Sequence, residues 1–187
     1  MEQILLRKMN ELKEYISNDE SFQTPPEVCE YMCSMIPKEA ITILEPTRGK
    51  GNLLKAIDKM TDIPLLIQAP ANFFDTDKNL RYDAIVMNPP FSSKYAFGVP
   101  DNVKEKGMRL GYYILTECMK RSDHVIALMP WFTISDSDVR LRFLKEYGFK
   151  SITALPRKTF KYARIQTCIF ELEKGFNGDT IFKTFNF

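Results

Sequence analysis

The 187-residue sequence has little of what several large protein classes require. No apolar run approaches the roughly 20 residues of a membrane-spanning helix. The N-terminus, Met-Glu-Gln-Ile-Leu-Leu-Arg-Lys, lacks the layout of a signal peptide. The formal net charge is only +2, so composition alone does not indicate a protein that binds nucleic acid. Together these absences predict a cytoplasmic protein without a membrane anchor.

Metal ligands are also scarce. The chain has one histidine, His124, and four cysteines. Cys29 and Cys33 are four residues apart and would share one face of a helix, but a zinc site needs two further ligands. Disulfides are not expected in a reducing compartment. We therefore predict no metal site. We expect all four cysteines to be small core residues: Cys29, Cys33, Cys118 and Cys168.

Strand and helix patterns alternate along the chain, whose length and 44% apolar content fit one compact domain. Short apolar or β-branched runs predict strands, and amphipathic segments with capping residues predict helices. The predicted strands are 40–44, 64–67, 84–87, 125–129, 151–155, 167–172 and 181–185, and the predicted helices are 2–17, 24–36, 52–60, 110–119 and 135–148.

This alternation predicts an α/β protein with a doubly wound, mostly parallel sheet. The strands 151–155 and 167–172 have no helix between them, which predicts an antiparallel hairpin at the edge of the sheet. We expect residues 1–187 to form a single domain, in which N-terminal helices within 1–37 pack on an α/β core of residues 38–187.

The stretch from Tyr82 to Phe91 carries the first candidate site. Pro89 and Pro90 end the predicted strand 84–87, because proline supplies no N–H to extend a ladder. Asn88 and Phe91 therefore lie at the carboxyl end of a buried strand, where open α/β sheets bind ligands. The structural alternative is a rigid turn that only ends the strand.

The second candidate is the loop Glu45-Pro-Thr-Arg-Gly-Lys-Gly51 between a strand and a helix. Such a loop brings backbone N–H groups close to a ligand, and an acid followed by Gly-x-Gly is typical of a site for a nucleoside-bearing cofactor. The full dinucleotide fingerprint is absent, since Leu54 stands where its third glycine would be, and so is a P-loop. A plain turn remains the alternative. Upstream, Thr24-Pro-Pro-Glu27 predicts a capped helix start.

In this order the three motifs resemble the S-adenosylmethionine-dependent amino methyltransferases. The resemblance is to the N6-adenine DNA methyltransferases of the γ group, such as the modification subunits of type I restriction systems, and it covers roughly residues 20 to 174. It implies a Rossmann-like methyltransferase fold, S-adenosylmethionine as cofactor and DNA as substrate. It also implies a target-recognition domain, which this chain does not show, or a separate specificity subunit.

The resemblance also implies roles for individual residues. Asn88, Pro89, Pro90 and Phe91 match the catalytic motif, in which the amide oxygen and the first proline carbonyl accept the amine protons and the aromatic ring stacks on the base. Cofactor binding falls to Thr24, Pro25, Glu45, Pro46, Gly49, Gly51, Gln68, Asn72, Phe73 and Asn88. This sequence departs from the family pattern at two of these positions. The acid that usually ends the second strand and binds the ribose has no counterpart, and Gln68 is the residue nearest to its position. Asn72 replaces the usual aspartate.

A basic run gives a candidate surface for nucleic acid. It consists of Arg157, Lys158, Lys161 and Arg164, interleaved with Phe160 and Tyr162, and Lys94 lies in the long polar loop 92–106. The cations would meet phosphates while the aromatic rings contact bases. A solvated charged hairpin is the alternative. For the whole chain, methylation of RNA or of protein glutamine, or a degenerate methyltransferase acting as a regulatory subunit, remain alternatives.

Overall fold

The computed structural model describes residues 23–60, 66–96, 98–160 and 165–186. The helices are α1 (Pro26–Cys33), α2 (Asn52–Lys59), α3 (Asp101–Lys104), α4 (Leu110–Met119), α5 (Phe132–Ser135) and α6 (Asp138–Tyr147). The strands are β1 (Thr42–Leu44), β2 (Leu66–Gln68), β3 (Ala84–Met87), β4 (His124–Pro130), β5 (Phe149–Ala154), β6 (Thr167–Glu173) and β7 (Ile181–Thr184). The predicted helix 2–17 lies outside the described residues.

The strands form one seven-stranded sheet in the order β2-β1-β3-β4-β6-β5-β7. Strands β2, β1, β3 and β4 are parallel neighbours. Strand β6 is antiparallel to both β4 and β5, and β7 is parallel to β5. The predicted α/β class and antiparallel pair are confirmed. The hairpin of β5 and β6 is not outermost, however, because β7 adds a further parallel strand at that edge.

Two apolar clusters cover the two faces of the sheet. Alternate residues of β3 divide between them, with Ile85 and Met87 in one cluster and Ala84 and Val86 in the other. All four are buried, as expected for a central parallel strand covered on both faces. This explains why β3 is a continuous apolar run rather than an alternating one.

The four cysteines lie in these clusters as free, buried residues. Burial raises the pKa of the Cys29 and Cys33 thiols to about 12, so they stay protonated at neutral pH, unlike metal-bound thiolates. The prediction of core cysteines is confirmed. In the described part of the chain, no cluster of His, Cys, Asp and Glu has a metal-binding arrangement.

Two helices differ from their predicted form. Helix α1 begins after Pro25, with no side-chain cap, so the predicted capping box from Thr24 to Glu27 is wrong. In α6 only Leu144 is buried, whereas Val139 and Phe143 are 64% and 43% exposed. The predicted apolar face of α6 is therefore mostly at the surface. No described helix has the length and apolar character to cross a bilayer.

Candidate active site

The carboxyl ends of β1 and β3 meet at one edge of the sheet, because these strands are adjacent and parallel. Glu45 directly follows β1, and Asn88 directly follows β3. The segment Asn88–Phe91 therefore lies beside the segment Glu45–Gly51. After the roles that the resemblance implies, we term the first the catalytic turn and the second the cofactor loop. The sequence predicted that each segment follows a strand, and the pairing of β1 with β3 brings the two segments together.

Thr24 is hydrogen-bonded to the catalytic turn. Thr24 is buried, with only 4% of its surface exposed. Its Oγ1 accepts a hydrogen bond from Asn88 Nδ2 at 2.9 Å. Its carbonyl oxygen accepts from Asn52 Nδ2, at the start of α2, at 3.0 Å. In the cofactor loop, Thr47 Oγ1 donates to the Asn88 carbonyl oxygen at 3.1 Å. The three motifs recognised in the sequence are thus brought together.

The cofactor loop depends on two glycines with positive φ. Gly49 has a φ of 49° and Gly51 a φ of 80°, which side chains with a Cβ rarely adopt. Gly51 is the N-cap residue of α2, and the Lys50 N–H donates to Gln23 Oε1 at 3.1 Å. The loop therefore turns tightly from β1 into α2, as the Gly-x-Gly pattern predicts.

Glu45 is a buried carboxyl group, with 1% of the residue exposed. Burial raises its pKa to about 8, although the Thr47 backbone N–H and the Arg48 charge act in the opposite direction. Its Oε2 has no hydrogen-bond partner within the described residues. Because an unpaired buried polar atom is unfavourable, a hydrogen-bonding group of a ligand would be bound favourably at this oxygen.

Gln68 ends β2 beside the cofactor loop. Its carbonyl oxygen accepts from the Glu45 N–H at 2.8 Å, and its side-chain Oε1 accepts from the Tyr82 hydroxyl at 2.5 Å. Gln68, the last residue of β2, therefore contacts the first residue of the cofactor loop. Its implied role in cofactor binding stays a prediction.

Asn72 caps the single turn Phe73–Asp75. Its Oδ1 accepts from the Phe74 N–H at 3.2 Å, and its Nδ2 donates to Asp75 and to the Gly98 carbonyl oxygen at 3.1 Å and 3.3 Å. The side chain therefore supports local structure, while its implied role in binding adenine stays a prediction. Phe73, the next residue, is buried.

Phe91 is half-buried and packs against the cluster that contains Val86 and Leu128. Helix α4 passes close to it, since a Cβ added at Gly111 would lie 3.4 Å from the Phe91 Cα and Cδ1. Gly111 therefore permits close packing of α4 on the catalytic turn. This role was not predictable from the sequence, because Gly111 lies within an ordinary helix pattern.

The candidate nucleic-acid residues are only partly described. Lys94, Arg157 and Lys158 are exposed, and Lys161 and Arg164 lie outside the described residues. Phe160 is 8% exposed and packs in the core. The interpretation of Phe160 as a base-contacting ring is therefore wrong, and its burial anchors the segment that follows β5.

Comparison with known proteins bears on the fold. No protein-family model matches the sequence, and no curated protein matches it either. A type I restriction-modification methyltransferase subunit from Streptococcus thermophilus has a TM-score of 0.69 at 15% identity, over 91% of this chain and 49% of that chain. A type I R-M system structure gives 0.63 at 16% identity, over 95% and 48%.

A third similar structure is a class I S-adenosylmethionine-dependent methyltransferase from Listeria monocytogenes, with a TM-score of 0.61 at 14% identity, over 89% of this chain and 67% of that chain. The fold is that of Rossmann-like methyltransferases. At these identities the likeness establishes the fold alone. The chain spans about half the length of the two restriction-modification proteins.

Sequence reasoning assigned no role to two buried residues that contact Gln68 and Phe73. Tyr82 precedes β3, and Arg121 lies between α4 and β4, yet both are buried, with 7% and 3% exposed. In the sequence Arg121 stands in the polar segment Lys-Arg-Ser-Asp, which predicts a solvated turn. Only the three-dimensional packing identifies this cation as part of the interior.

Proposed function

We propose that this chain is an S-adenosylmethionine-dependent methyltransferase that acts on N6 of adenine in DNA. The observation that carries the proposal is the hydrogen bond from Asn88 Nδ2 to Thr24 Oγ1. It fixes the orientation of the Asn88 amide, so the carbonyl oxygen lies on the side opposite Thr24. An amide held in this way presents a defined acceptor to a substrate amine.

The residues of the site fit the proposed cofactor, which supplies an electrophilic methyl group on a sulfonium when bound. Glu45 Oε2 is a buried polar atom without a described partner, and a hydroxyl group of the cofactor could pair with it whether the carboxyl is protonated or ionised. Gly49 and Gly51 carry no side chain and have positive φ, which permits the tight turn of the loop from β1 into α2. Thr24 accepts from Asn88 and keeps its hydroxyl hydrogen for donation.

The chemistry requires acceptors rather than a strong base. The exocyclic amine of adenine is a poor nucleophile, because its lone pair is delocalised into the ring. Asn88 Oδ1 and the Pro89 carbonyl oxygen would hold the two amine protons and favour a more tetrahedral nitrogen. The proton to be lost becomes acidic only after the methyl group is transferred, so neither acceptor has to remove it beforehand.

Access by DNA is supported by the direction of the strands. Strands β3 and β5 run the same way, because β6 is antiparallel to both β4 and β5. The segment after β5, with exposed Arg157 and Lys158, therefore leaves the sheet at the same edge as Asn88. In the proposed function these cations and Lys94 contact phosphates. Phe91 then stacks on an extruded adenine.

A separate specificity subunit is the partner that we propose for target choice. This partner is suggested by similarity in fold to proteins of type I restriction-modification systems. RNA and protein glutamine are the alternative substrates, because the same pair of acceptors suits any planar amine or amide nitrogen.

A transfer assay with labelled S-adenosylmethionine tests the proposal. The substrates are long DNA free of methylated adenine, total RNA and a protein mixture. We expect label in DNA, and we expect Asn88→Ala to lower the rate by at least about 100-fold, as for loss of a group that acts in the transition state. Asn79→Ala, on an exposed turn, is the matched control.

The other outcomes of this assay distinguish the alternatives. Label only in RNA or in glutamine would reject DNA as the substrate and keep the chemistry. Absence of transfer, together with absence of S-adenosylhomocysteine binding by calorimetry, would reject the methyltransferase and leave a regulatory subunit.

A further inference from the structure

Arg121 is a buried cation with no acidic partner within the described residues. Its Nη1 donates to Thr76 Oγ1 at 2.9 Å and its Nε to the Leu80 carbonyl oxygen at 3.4 Å. Its Nη2 has no described hydrogen-bond partner. A charge buried in this way is expensive unless it is compensated, so its surroundings must offer other favourable interactions.

Those interactions come from two aromatic rings. The Arg121 guanidinium carbon lies 5.7 Å from the ring centre of Phe73 and 5.5 Å from that of Tyr82. Both distances fall within the range of cation–π attraction, which strengthens when the cation is desolvated. The Tyr82 N–H also donates to the Arg121 carbonyl oxygen at 2.9 Å. One side chain therefore fixes both rings.

Both rings are connected with candidate cofactor-binding residues, Tyr82 through a hydrogen bond and Phe73 as a candidate itself. The hydroxyl of Tyr82 donates to Gln68 Oε1. Phe73 is itself a candidate, and its carbonyl oxygen accepts from Thr76 Oγ1 at 2.7 Å, while Thr76 accepts from Arg121. Arg121 is thus linked to both Gln68 and Phe73 without lying beside the cofactor loop.

The bond from Tyr82 determines what Gln68 offers to a ligand. Because Oε1 accepts from the tyrosine, the other end of the amide, Nε2, is the donor group, and no described residue accepts from it. An acid at the end of β2 would accept from a hydroxyl, whereas this amide donates to the hydroxyl oxygen. A ribose hydroxyl can serve in either role.

We propose that Tyr82 and Arg121 are positioning residues, which hold the Gln68 amide with its Nε2 toward the ribose hydroxyls of the cofactor. This proposal rests on the proposed function and deepens it. It explains how the site retains ribose recognition when the strand ends in glutamine instead of an acid. Tyr82 acts through the Gln68 amide, and Arg121 acts through the ring of Tyr82.

Calorimetric binding of two ligands tests the proposal. The probes are S-adenosylhomocysteine and its analogue that lacks both ribose hydroxyls. For the wild type, we expect the analogue to bind about 10-fold more weakly, the effect of one or two hydrogen bonds. For Tyr82→Phe, which keeps the ring under Arg121, we expect the difference between the two ligands to fall to about two-fold.

Two further variants make the result specific. Tyr147→Phe is the matched control, because the Tyr147 hydroxyl also makes one partly buried hydrogen bond, to the Ser122 carbonyl oxygen, away from Gln68. It should keep the full difference between the ligands. Gln68→Ala removes the amide at a half-buried position and should abolish the difference even if Tyr82→Phe were unstable.

The outcomes separate this inference from the proposed function. Wild-type binding of S-adenosylhomocysteine with an unchanged ligand difference in Tyr82→Phe and Gln68→Ala would overturn the positioning role and leave the methyltransferase intact. An equal loss in Tyr147→Phe would show a merely structural effect and would also overturn it. Failure of the wild type to bind S-adenosylhomocysteine would overturn both.

Discussion

At the scale of single residues, Thr24 joins two parts of the site. Its position before a proline-rich helix start predicted an N-cap, but the hydroxyl accepts from Asn88 instead. The same threonine is held through its carbonyl oxygen by Asn52. A polar side chain at a helix start can therefore serve the site across the sheet rather than its own helix.

Thr24→Val keeps the shape of the side chain and removes the acceptor for Asn88. We expect the maximal rate of methyl transfer to fall about 10-fold, because the Asn88 amide loses one hydrogen bond that fixes its orientation. Initial rates at saturating cofactor and DNA measure this effect. Thr24→Ser, which keeps the hydroxyl, should retain most of the rate, and equal rates in both variants would argue against the orienting role.

The raised pKa of Glu45 predicts a pH-dependent stability. Its pKa is about 8 in the folded state, against 4.5 for the free side chain. Between these values the folded state binds the extra proton, so the free energy of unfolding falls as pH rises from 4.5 to about 8. Below that window the carboxyl is protonated in both states and the contribution is fully present.

Glu45→Gln removes the ionisable group while preserving its shape. We expect the variant to exceed the wild type in stability at about pH 8.5 by on the order of 3 kcal/mol, and to match it near about pH 5. Urea denaturation at both pH values measures the difference. A wild type whose stability does not fall across this range would contradict the buried, protonated carboxyl.

At the scale of elements, Gly148 controls the junction between α6 and β5. It has a φ of 133°, and a Cβ there would lie 1.9 Å from the Glu173 carbonyl oxygen. Its own carbonyl oxygen accepts from the Glu173 N–H at 2.9 Å. The end of β6 therefore packs against backbone that only glycine can provide.

Gly148→Ala should lower the free energy of unfolding by more than about 2 kcal/mol, because the clash is with backbone that cannot move aside. Gly175→Ala is the matched control, since Gly175 also has positive φ, 84°, but open space around it. Its loss should be about 1 kcal/mol. Similar losses in the two variants, measured by denaturant unfolding, would disprove the steric explanation.

Elements with strong local patterns were predictable, and those set by long-range pairing were less so. The run Ala84–Met87 and the helix Leu110–Met119 carry their own apolar signal, and both match the structure. The position of β6 between β4 and β5 depends on pairing that no local pattern encodes. For α6, the apolar pattern is real, yet tertiary packing buries only Leu144.

The candidate site also has predictable parts and parts that depend on long-range contacts. Its three motifs were predictable because strand ends and glycine loops have local signatures. The links between them were not, since Thr24 and Asn88 are 64 residues apart. The contact between Arg121 and Tyr82 was not predictable either, because only the fold places the Arg121 charge over the Tyr82 ring.

At the scale of the whole molecule, the exposed cations that follow β5, at the same edge of the sheet as the catalytic turn, predict salt-dependent DNA binding. Reversing Arg157 and Lys158 to glutamate should lower the slope of log affinity against log salt by about 2, from the loss of two phosphate contacts. Fluorescence anisotropy across a salt series measures the slope.

The control for this experiment carries the same change in net charge. Lys38 precedes β1 and Lys59 ends α2, so both lie at the opposite edge of the sheet, and both are exposed. Reversing this pair should leave the slope nearly unchanged. An equal decrease in the two double variants would indicate a general effect of charge and no defined DNA surface.

Methyl transfer to adenine N6 at the catalytic turn can be tested by identifying the methylated nucleoside. DNA free of methylated adenine is incubated with the protein and S-adenosylmethionine carrying a deuterated methyl group, then digested to nucleosides for mass spectrometry. We expect deuterated N6-methyldeoxyadenosine with the wild type, and at least about 100-fold less of it from Asn88→Ala in the same time. Deuterium in another nucleoside, or an equal yield from Asn88→Ala, would contradict the proposed function.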